Sequence, residues 1–203
     1  MTDELLTFDE KEHIYRYDGK TVISVTQVLA DIGTYTGVSK STLEQAAERG
    51  TAIHQAIELY SKFEIIEIEE EYHSYLEQYI KFAKSFRFKP IYNELKLYSK
   101  THNYAGTVDA VGEMILPTGI AVLPVDFKTT SKYYYGKTGL QLAAYRQLLR
   151  ENGINCNGAL LLWLQGNNYK PLIYTDEQLD EYFQHFKTLL EAKKIIKFYS
   201  EEK

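Results

Sequence analysis

The sequence predicts an α/β fold in which a mixed central sheet is flanked by helices. Strand-like segments alternate with turns near the N-terminus, two apolar strands joined by a turn occupy the middle of the chain, and capped amphipathic helices separate the remaining strands. With 203 residues, the chain is long enough for one domain with its own core. We divide it into a small N-terminal β appendage with a short helix, residues 1–36, and a core, residues 41–197.

Turn and capping signals predict the first elements. Residues 5–25 alternate as strands do, and Asp18-Gly19 is a strong hairpin signal, so we expect a hairpin or a three-strand meander. Ser24 and Gln27 have the spacing of a capping box, which predicts a short helix to about residue 32. A loop is expected at residues 33–37.

Capping boxes also predict the longer helices. Ser41 and Glu44 would open a helix that reaches about residue 62, and Thr138 and Gln141 would open another that ends near residue 151. Gln141 has a second interpretation, because it lies one turn before Tyr145 and both side chains could project into a site. Further helices are expected at 70–86 and from a cap at 175 to about 196, and further strands at 91–100, 157–164 and 169–174.

The central pair of strands carries ionisable residues within apolar sequence. Residues 106–128 contain two strands joined by a turn at Pro117-Thr118-Gly119, with Asp109 on the first strand and Asp126 and Lys128 at the end of the second. Buried charges are costly unless they are compensated. Because side chains two apart on a strand point to the same side, a bound Mg²⁺ or Mn²⁺ would compensate the two carboxylates. A structural ion pair at the edge of the sheet is the alternative.

Three other residues are candidates on spacing alone, and each has an ordinary structural interpretation. His54 lies on an apolar helix stripe, where a histidine is more often a satisfied core or boundary residue than a ligand. Glu58, one turn later, is more often solvated or paired with His54 or Arg49. Glu94 follows the strand start at Pro90, and it stands either beside the aspartates or on an exposed strand face.

Composition limits the class of protein. Hydrophobic residues make up 44% and charged residues 25% of the chain, as in ordinary soluble globular proteins. No apolar run approaches the roughly 20 residues that span a bilayer, and the acidic N-terminus lacks a signal-peptide pattern. We therefore expect no membrane association and a cytoplasmic location. Cys156 is the only cysteine, which excludes an intramolecular disulfide.

Charge is distributed unevenly along the chain. The formal net charge of −5 argues weakly against nucleic-acid binding, but residues 128–150 contain five basic residues and no acidic one. Five glutamates are crowded between residues 64 and 71. Since salt screens exposed charges beyond about 10 Å, local charge matters more than the total. We interpret the acidic run as a solvated helix start.

Taken together, these residues resemble the RecB-type group of the PD-(D/E)xK nuclease superfamily. The resemblance rests on five pieces that occur in the family's order across residues 49–145. The pieces are Arg49-Gly50 with His54 and Glu58 (RGxxxHxxxE), Glu94, Gly106 with Asp109 (GxxD), Asp126-Phe127-Lys128 (D/E-x-K), and Gln141 with Tyr145 (QxxxY). Two features depart from relatives: Val108 stands where a proline is usual, and Cys156 alone cannot hold the four-cysteine iron–sulfur cluster that some relatives carry.

The resemblance implies a restriction-endonuclease-like fold and a stand-alone metal-dependent deoxyribonuclease. It would act as an exonuclease in recombination, repair or phage DNA metabolism. The basic stretch 128–150 with its aromatic loop adds the expectation that single-stranded or frayed DNA ends are preferred. The implied ligands of Mg²⁺ or Mn²⁺ are Asp109, Asp126 and the Phe127 carbonyl, with His54 and Glu94 in or near the same shell. The implied catalytic residues are Asp109, Asp126, Lys128 and Glu94, and Arg49 and Glu58 would support them from outside the ligand set.

DNA contacts are expected from the basic stretch and the helix after it. The expected contacts are Gln141, Tyr145, Lys132, Tyr133, Tyr134, Tyr135, Lys137, Arg146 and Arg150. The three consecutive tyrosines either stack on unpaired bases or pack against the protein, and the sequence favours neither. Two other functions stay open. One is a non-catalytic nucleic-acid-binding module, and the other is a structural or regulatory protein that contacts a replication, recombination or defence complex through the acidic run.

Overall fold

The structure, a computed structural model, describes residues 3–33, 39–117 and 119–201. Eight strands of the described residues form one mixed sheet. The strands are β1 (Leu6–Asp9), β2 (Ile14–Tyr17), β3 (Lys20–Ser24), β4 (Lys89–Ser99), β5 (Tyr104–Leu116), β6 (Gly119–Lys128), β7 (Ala159–Leu164) and β8 (Tyr169–Tyr174). The helices are α1 (Val25–Val28), α2 (Lys40–Phe63), α3 (His73–Phe86), α4 (Tyr135–Glu151) and α5 (Asp176–Glu201), and a 3-10 turn at Glu70–Tyr72 precedes α3.

The sheet contains both strand directions, so the expected α/β class with a mixed sheet is confirmed. Strands β4, β5 and β6 pair antiparallel, β6 and β7 pair parallel, and β8 closes the edge antiparallel to β7. Strands β1 to β3 form the expected meander. They are continuous with the sheet rather than a separate appendage, because Ile23 and Ser24 pair in parallel with Tyr104 and Ala105 of β5.

Helices cover both faces of the sheet. Helices α1, α4 and α5 bury their apolar side chains against one face, around Val108 and Leu161. Helices α2 and α3 pack on the other, around Val125 and Phe127. Burial of these apolar faces, at roughly 25 cal/mol per Å², is the main term that stabilises the three layers. None of the helices in the described residues is both long enough and apolar enough to cross a bilayer.

Two helix starts differ from the expected capping boxes. Helix α2 begins at Lys40, because the Ser39 hydroxyl accepts from the Thr42 amide and caps the helix before Ser41 can. Helix α4 begins at Tyr135 without a side-chain cap, so the box at Thr138 is also wrong. The box at Ser24 and Gln27 is confirmed, although α1 ends at Val28. Residues 34–37 of the expected loop, and Thr118 of the central turn, lie outside the described residues.

Strand β5 changes partners in its middle, and this change creates the site. Strand β4 runs along one edge of β5. On the other edge, Tyr104 and Ala105 pair with β3, and pairing with β6 begins only at Ala110. The segment 106–109 therefore has no ladder partner on that edge. A short unpaired stretch between two buried strands must satisfy its polar groups through side chains, ordered water or a ligand.

Candidate active site

Asp109 satisfies one backbone group in this opening. Its Oδ2 accepts a hydrogen bond from the Phe127 amide at 2.9 Å, where a continued ladder would have used a backbone carbonyl. The side chain therefore bridges β5 and β6 where their backbone ladder has ended. Burial raises the pKa of Asp109, while the charges of His54 and Lys128 oppose that rise. The carboxylate is held where a cation would stabilise its ionised form.

His54, Glu94 and Asp109 come together on one side of the opening. One ligand atom from each lies within 4.8 Å of the others. His54 Nδ1 is 3.7 Å from Glu94 Oε1 and 3.8 Å from Asp109 Oδ2, and its Nε2 is 3.3 Å from the Phe127 carbonyl oxygen. Glu94 follows His54 by 40 residues and Asp109 follows Glu94 by 15. The packing of α2 on the β4–β5 hairpin brings the three side chains together.

Glu94 has an unusual backbone. Its φ of +49° is left-handed, although it lies within β4 opposite Asp109, between the pairs Asn93–Ala110 and Leu95–Val108. This conformation costs a non-glycine residue about 1–3 kcal/mol and persists only where the surroundings fix it. The twist turns the Glu94 carboxylate toward His54. Nothing in the local sequence signals this conformation.

His54 carries a positive charge in the metal-free protein. Burial lowers the pKa of His54, but the charge of Asp109 and the hydrogen bond and charge of Glu94 outweigh this effect and raise the pKa to about 9. The imidazolium therefore lies between two carboxylates and takes the place of a cation at neutral pH. A metal ion that used this imidazole would first have to displace its proton.

Asp126 and Lys128 lie on the opposite side of β6 from Phe127, as the alternation of strand side chains predicts. Asp126 is fully buried, and its Oδ1 accepts from Lys128 Nζ at 2.8 Å. Its Oδ2 has no hydrogen-bond partner. Burial raises the pKa of Asp126 to about 6, against the opposing charge of Lys128. A buried carboxylate oxygen without a protein partner is rare, and an ordered water, an ion or a bound ligand usually accounts for it.

A chain of side chains from α4 positions Lys128. Gln141 Oε1 accepts from Lys128 Nζ at 3.4 Å, and Gln141 Nε2 donates to the Tyr145 hydroxyl at 3.0 Å. The Tyr145 ring is buried and rests on Gly106, where an added Cβ would lie 3.0 Å from Tyr145 Cε1. The Tyr145 hydroxyl thus holds the Gln141 amide, and a direct DNA contact by Tyr145 stays a prediction. The capping-box interpretation of Gln141 is wrong, and the alternative, projection toward the site, is what the structure has.

Two cavities border these groups. The first, of about 200 Å³, contains Asp109, Asp126 and Lys128, and the second, of about 790 Å³, contains Glu94 and Glu58. His54 and Glu94 line both. The N-terminal segment supplies residues that sequence reasoning missed: Tyr15 and Ser24 on strands, His13 in the β1–β2 turn and Thr26 in α1, with Thr107 on β5. Tyr15 is fixed by a 2.6 Å hydrogen bond between its hydroxyl and Thr107 Oγ1.

Part of the expected basic DNA-binding surface is already occupied by acidic partners. Arg146 is 3% exposed and pairs with Asp176 and Asp180 of α5, so its assignment as a DNA contact is wrong. Arg150 pairs with the same two aspartates. These acids lie some 30 residues downstream, beyond the stretch whose composition suggested a positive surface. Both arginines dock α5 onto α4.

The three consecutive tyrosines are split between the two interpretations. Tyr133 packs edge-on against Trp163 with ring centroids 4.8 Å apart, and Tyr135 stacks on Tyr174 at 4.4 Å. Both therefore pack against the protein. Tyr134 is 42% exposed and borders the same surface as Lys132. Stacking on a base stays a prediction for Tyr134.

Replacing Tyr134 with alanine is expected to weaken single-stranded DNA binding about tenfold, because one stacked base contributes roughly 1–3 kcal/mol. Tyr135→Ala is the matched control. It removes a ring that stacks within the protein, so it should lower thermal stability and leave affinity nearly unchanged. Fluorescence anisotropy in EDTA measures both variants. Native affinity in Tyr134→Ala would show that this ring does not stack on DNA.

The remaining expected residues have their own contacts. The Arg49 guanidinium lies 5.9 Å from the Tyr75 ring centroid, and Glu58 pairs with Lys62 at 2.5 Å. Neither contact involves a candidate metal ligand. The expectation that Arg49 and Glu58 support the ligands therefore has no contact in its favour. The glutamates at 64–71 are exposed, in keeping with a solvated segment.

Comparisons with known proteins add little to this geometry. No protein-family model matches the sequence, and no curated protein does. Among solved structures, one titled "Crystal structure of SSO0001" is similar over 86% of this chain and 75% of that one, with 13% identity and a TM-score of 0.47. A similarity of this size carries no information about function. Any functional conclusion rests on the site itself.

Proposed function

We propose that this protein is a divalent-metal-dependent deoxyribonuclease of the RecB-type PD-(D/E)xK group, acting on single-stranded or frayed DNA ends. The observation that carries the proposal is Asp126. A fully buried carboxylate with one unpartnered oxygen lies beside a lysine, two residues along the same strand face. A structural ion pair alone leaves that oxygen unexplained, and leaving a buried acceptor unpaired costs about 1–3 kcal/mol.

The residues present fit a hard divalent cation. Glu94 and Asp109 offer oxygen and His54 offers nitrogen within one group, and the Phe127 carbonyl lies beside His54. Asp126 Oδ2 offers a further oxygen outside that group. Oxygen donors suit Mg²⁺ and Mn²⁺, and the imidazole favours Mn²⁺ of the two. The raised pKa values of Asp109 and Asp126 also fit, because a cation would stabilise both ionised carboxylates. When bound, such an ion would polarise the scissile phosphate and lower the pKa of a water molecule.

The side chains of the site divide the remaining work. Lys128 is held at Asp126 and Gln141 with its side chain 29% exposed, so its ammonium can donate to the attacking water and to phosphate oxygens as their negative charge grows. Glu94, the most exposed of the three carboxylates at 35%, borders both cavities and can accept the proton that the water loses. Tyr145 keeps Gln141 in place.

The proposal is tested by incubating the protein with labelled single-stranded DNA, duplex DNA and RNA in Mn²⁺, Mg²⁺ or EDTA. We expect cleavage of DNA in either metal, fastest for single strands, and none in EDTA. DNA that is bound but never cleaved would favour the alternative function, a non-catalytic binding module. The exposed side chains of Phe63, Ile65 and Ile66 beside the acidic run are the surface that a protein partner would use in that case.

His54→Ala is expected to lower Mn²⁺-supported cleavage at least about tenfold, the usual lower cost of losing a group that holds a metal. Cleavage in Mg²⁺ should fall less, because Mg²⁺ depends less on an imidazole. The rates are compared at saturating concentrations of each metal, and His73→Ala, on the exposed start of α3, is the control. If His54→Ala cleaved at the native rate in Mn²⁺ and only its Tm were lower, His54 would be a structural boundary histidine and not a metal ligand.

A further inference from the structure

A third cavity lies next to the active site, on the α4 side of Lys128. It has a volume of about 270 Å³, slightly below the roughly 300–1,000 Å³ of typical ligand sites. Its lining consists of Lys128, Thr130, Lys132, Tyr133, Tyr134, Lys137, Thr138 and Gln141. None of these described lining residues is acidic. Lys128 and Gln141 also line the active-site cavity, so the two spaces adjoin.

Three lysines make this cavity positive. Lys128 forms an ion pair with Asp126. Lys132 is exposed, and Lys137 donates to the neutral Ile32 carbonyl at 2.7 Å. Burial and then the charge of Lys128 lower the pKa of Lys137, as expected where ammonium groups share a small space. An anion in the cavity would relieve this repulsion. The lysines lie on two rigid supports, the end of β6 and the first turn of α4, and on the loop between them.

The loop that carries Lys132 is itself fixed. The Trp163 indole donates to the Thr130 carbonyl at 2.7 Å, and the Thr130 hydroxyl donates to the Lys132 carbonyl at 2.7 Å. Tyr133 packs on Trp163 at the same place. Such contacts reduce the entropy that a ligand would otherwise lose when it orders a loop. The loop backbone that carries Lys132 is therefore ordered before any ligand binds.

We propose that this cavity binds the terminal phosphate of the strand being cleaved. The position of the cut is then set by its distance from a phosphorylated end. This inference rests on the proposed nuclease function. A terminal phosphate carries about −1.5 to −2 charges near pH 7, whereas an internal phosphodiester carries one, so three lysines match the former better. Because Lys128 borders both spaces, the cut falls one or a few nucleotides from that end. Tyr134 at the rim is placed to stack on the adjacent base.

The test compares single-stranded oligonucleotides that differ only at their ends: 5′-phosphate, 3′-phosphate, or hydroxyls at both. An internal fluorophore reports binding to the full chain by anisotropy in EDTA. One phosphorylated end should raise affinity about tenfold, the contribution of one charge-assisted hydrogen bond. Lys132→Gln with Lys137→Gln should reduce that preference to less than about twofold. The same variant should lower the salt slope by about 0.7 for each phosphate that the protein no longer neutralises.

Lys20→Gln with Lys81→Gln is the charge-matched control, since both lysines are exposed and line none of these cavities. It should keep the preference for a phosphorylated end. Equal affinity of the wild type for all three oligonucleotides, or a preference that survives in Lys132→Gln with Lys137→Gln, would overturn the inference. Metal-dependent cleavage without an end preference would leave the proposed function standing and remove only this pocket. Absence of both binding and cleavage would remove both.

Discussion

Lys128→Ala is expected to lower the rate of DNA cleavage at least about a hundredfold, the usual cost of removing one donor that stabilises a developing negative charge. Folding should survive, because the Asp126 carboxyl has a pKa of about 6 and can take up a proton when its ammonium partner is removed. Affinity in EDTA for DNA with hydroxyl ends should change little, since at an internal phosphodiester the lysine acts mainly as charge develops on the phosphate. Single-turnover cleavage measures the chemical step.

Two controls make this result specific. Lys81→Ala, on an exposed position of α3, should cleave at the native rate. Gln141→Ala should lower the rate less than Lys128→Ala, because Gln141 only holds the ammonium group through a 3.4 Å contact. If Lys128→Ala cleaved as fast as the wild type, the proposed active site would be wrong.

Asp126→Asn is expected to abolish cleavage and at the same time stabilise the metal-free protein. At pH 7.5 the buried Asp126 is ionised at a cost, because its pKa in the folded state is about 6 against an ordinary value of 3.8. Asparagine has the same shape without that charge. We expect a gain of about 1–3 kcal/mol at pH 7.5, or roughly 2–10 °C in Tm for a protein of this size.

The pH dependence gives this prediction an internal control. A carboxyl whose folded-state pKa is raised destabilises the fold as pH rises from about 4 through 6, so the advantage of Asp126→Asn should vanish near pH 4. His54 has the opposite effect, because its pKa in the folded state is raised to about 9. Its protonation therefore stabilises the fold fully below about pH 6.5, and this contribution is lost as the pH rises through 9. Scanning calorimetry in EDTA at pH 4.5, 6 and 7.5 separates the two groups. Equal Tm values for wild type and variant at all three pH values would refute the buried-charge argument.

Local sequence predicted most of the fold, because turns and periodicity act over a few residues. The meander, the strands β4 to β8 and the helices were all expected near their observed positions. The two wrong helix starts have different reasons. At α2 the Ser39 hydroxyl accepts from the Thr42 amide and caps the helix two residues before the expected box at Ser41. At α4 the helix begins at Tyr135 without a side-chain cap, so Thr138 already lies inside it.

Only those site residues could be predicted that strand alternation, helical spacing or the family resemblance indicates. Alternation placed Asp126 and Lys128 on one face of β6, and the helical spacing placed Gln141 beside Tyr145. The parallel pairing of β3 with β5, which brings Tyr15 to the cavity, joins residues about 80 apart in sequence and leaves no local signal. The partners of Arg146 are equally hidden from local sequence, which is why its charge was assigned to DNA.

The most direct test of the account is cleavage of an internally labelled single strand by wild type, Lys128→Ala and Asp126→Asn, purified in parallel. Parallel purification excludes a contaminating nuclease, which would appear in all three preparations. The account predicts that Mn²⁺ starts cleavage by the wild type, that EDTA stops it, and that neither variant shortens the strand. Cleavage that continues in EDTA, or that proceeds equally in all three proteins, would contradict it.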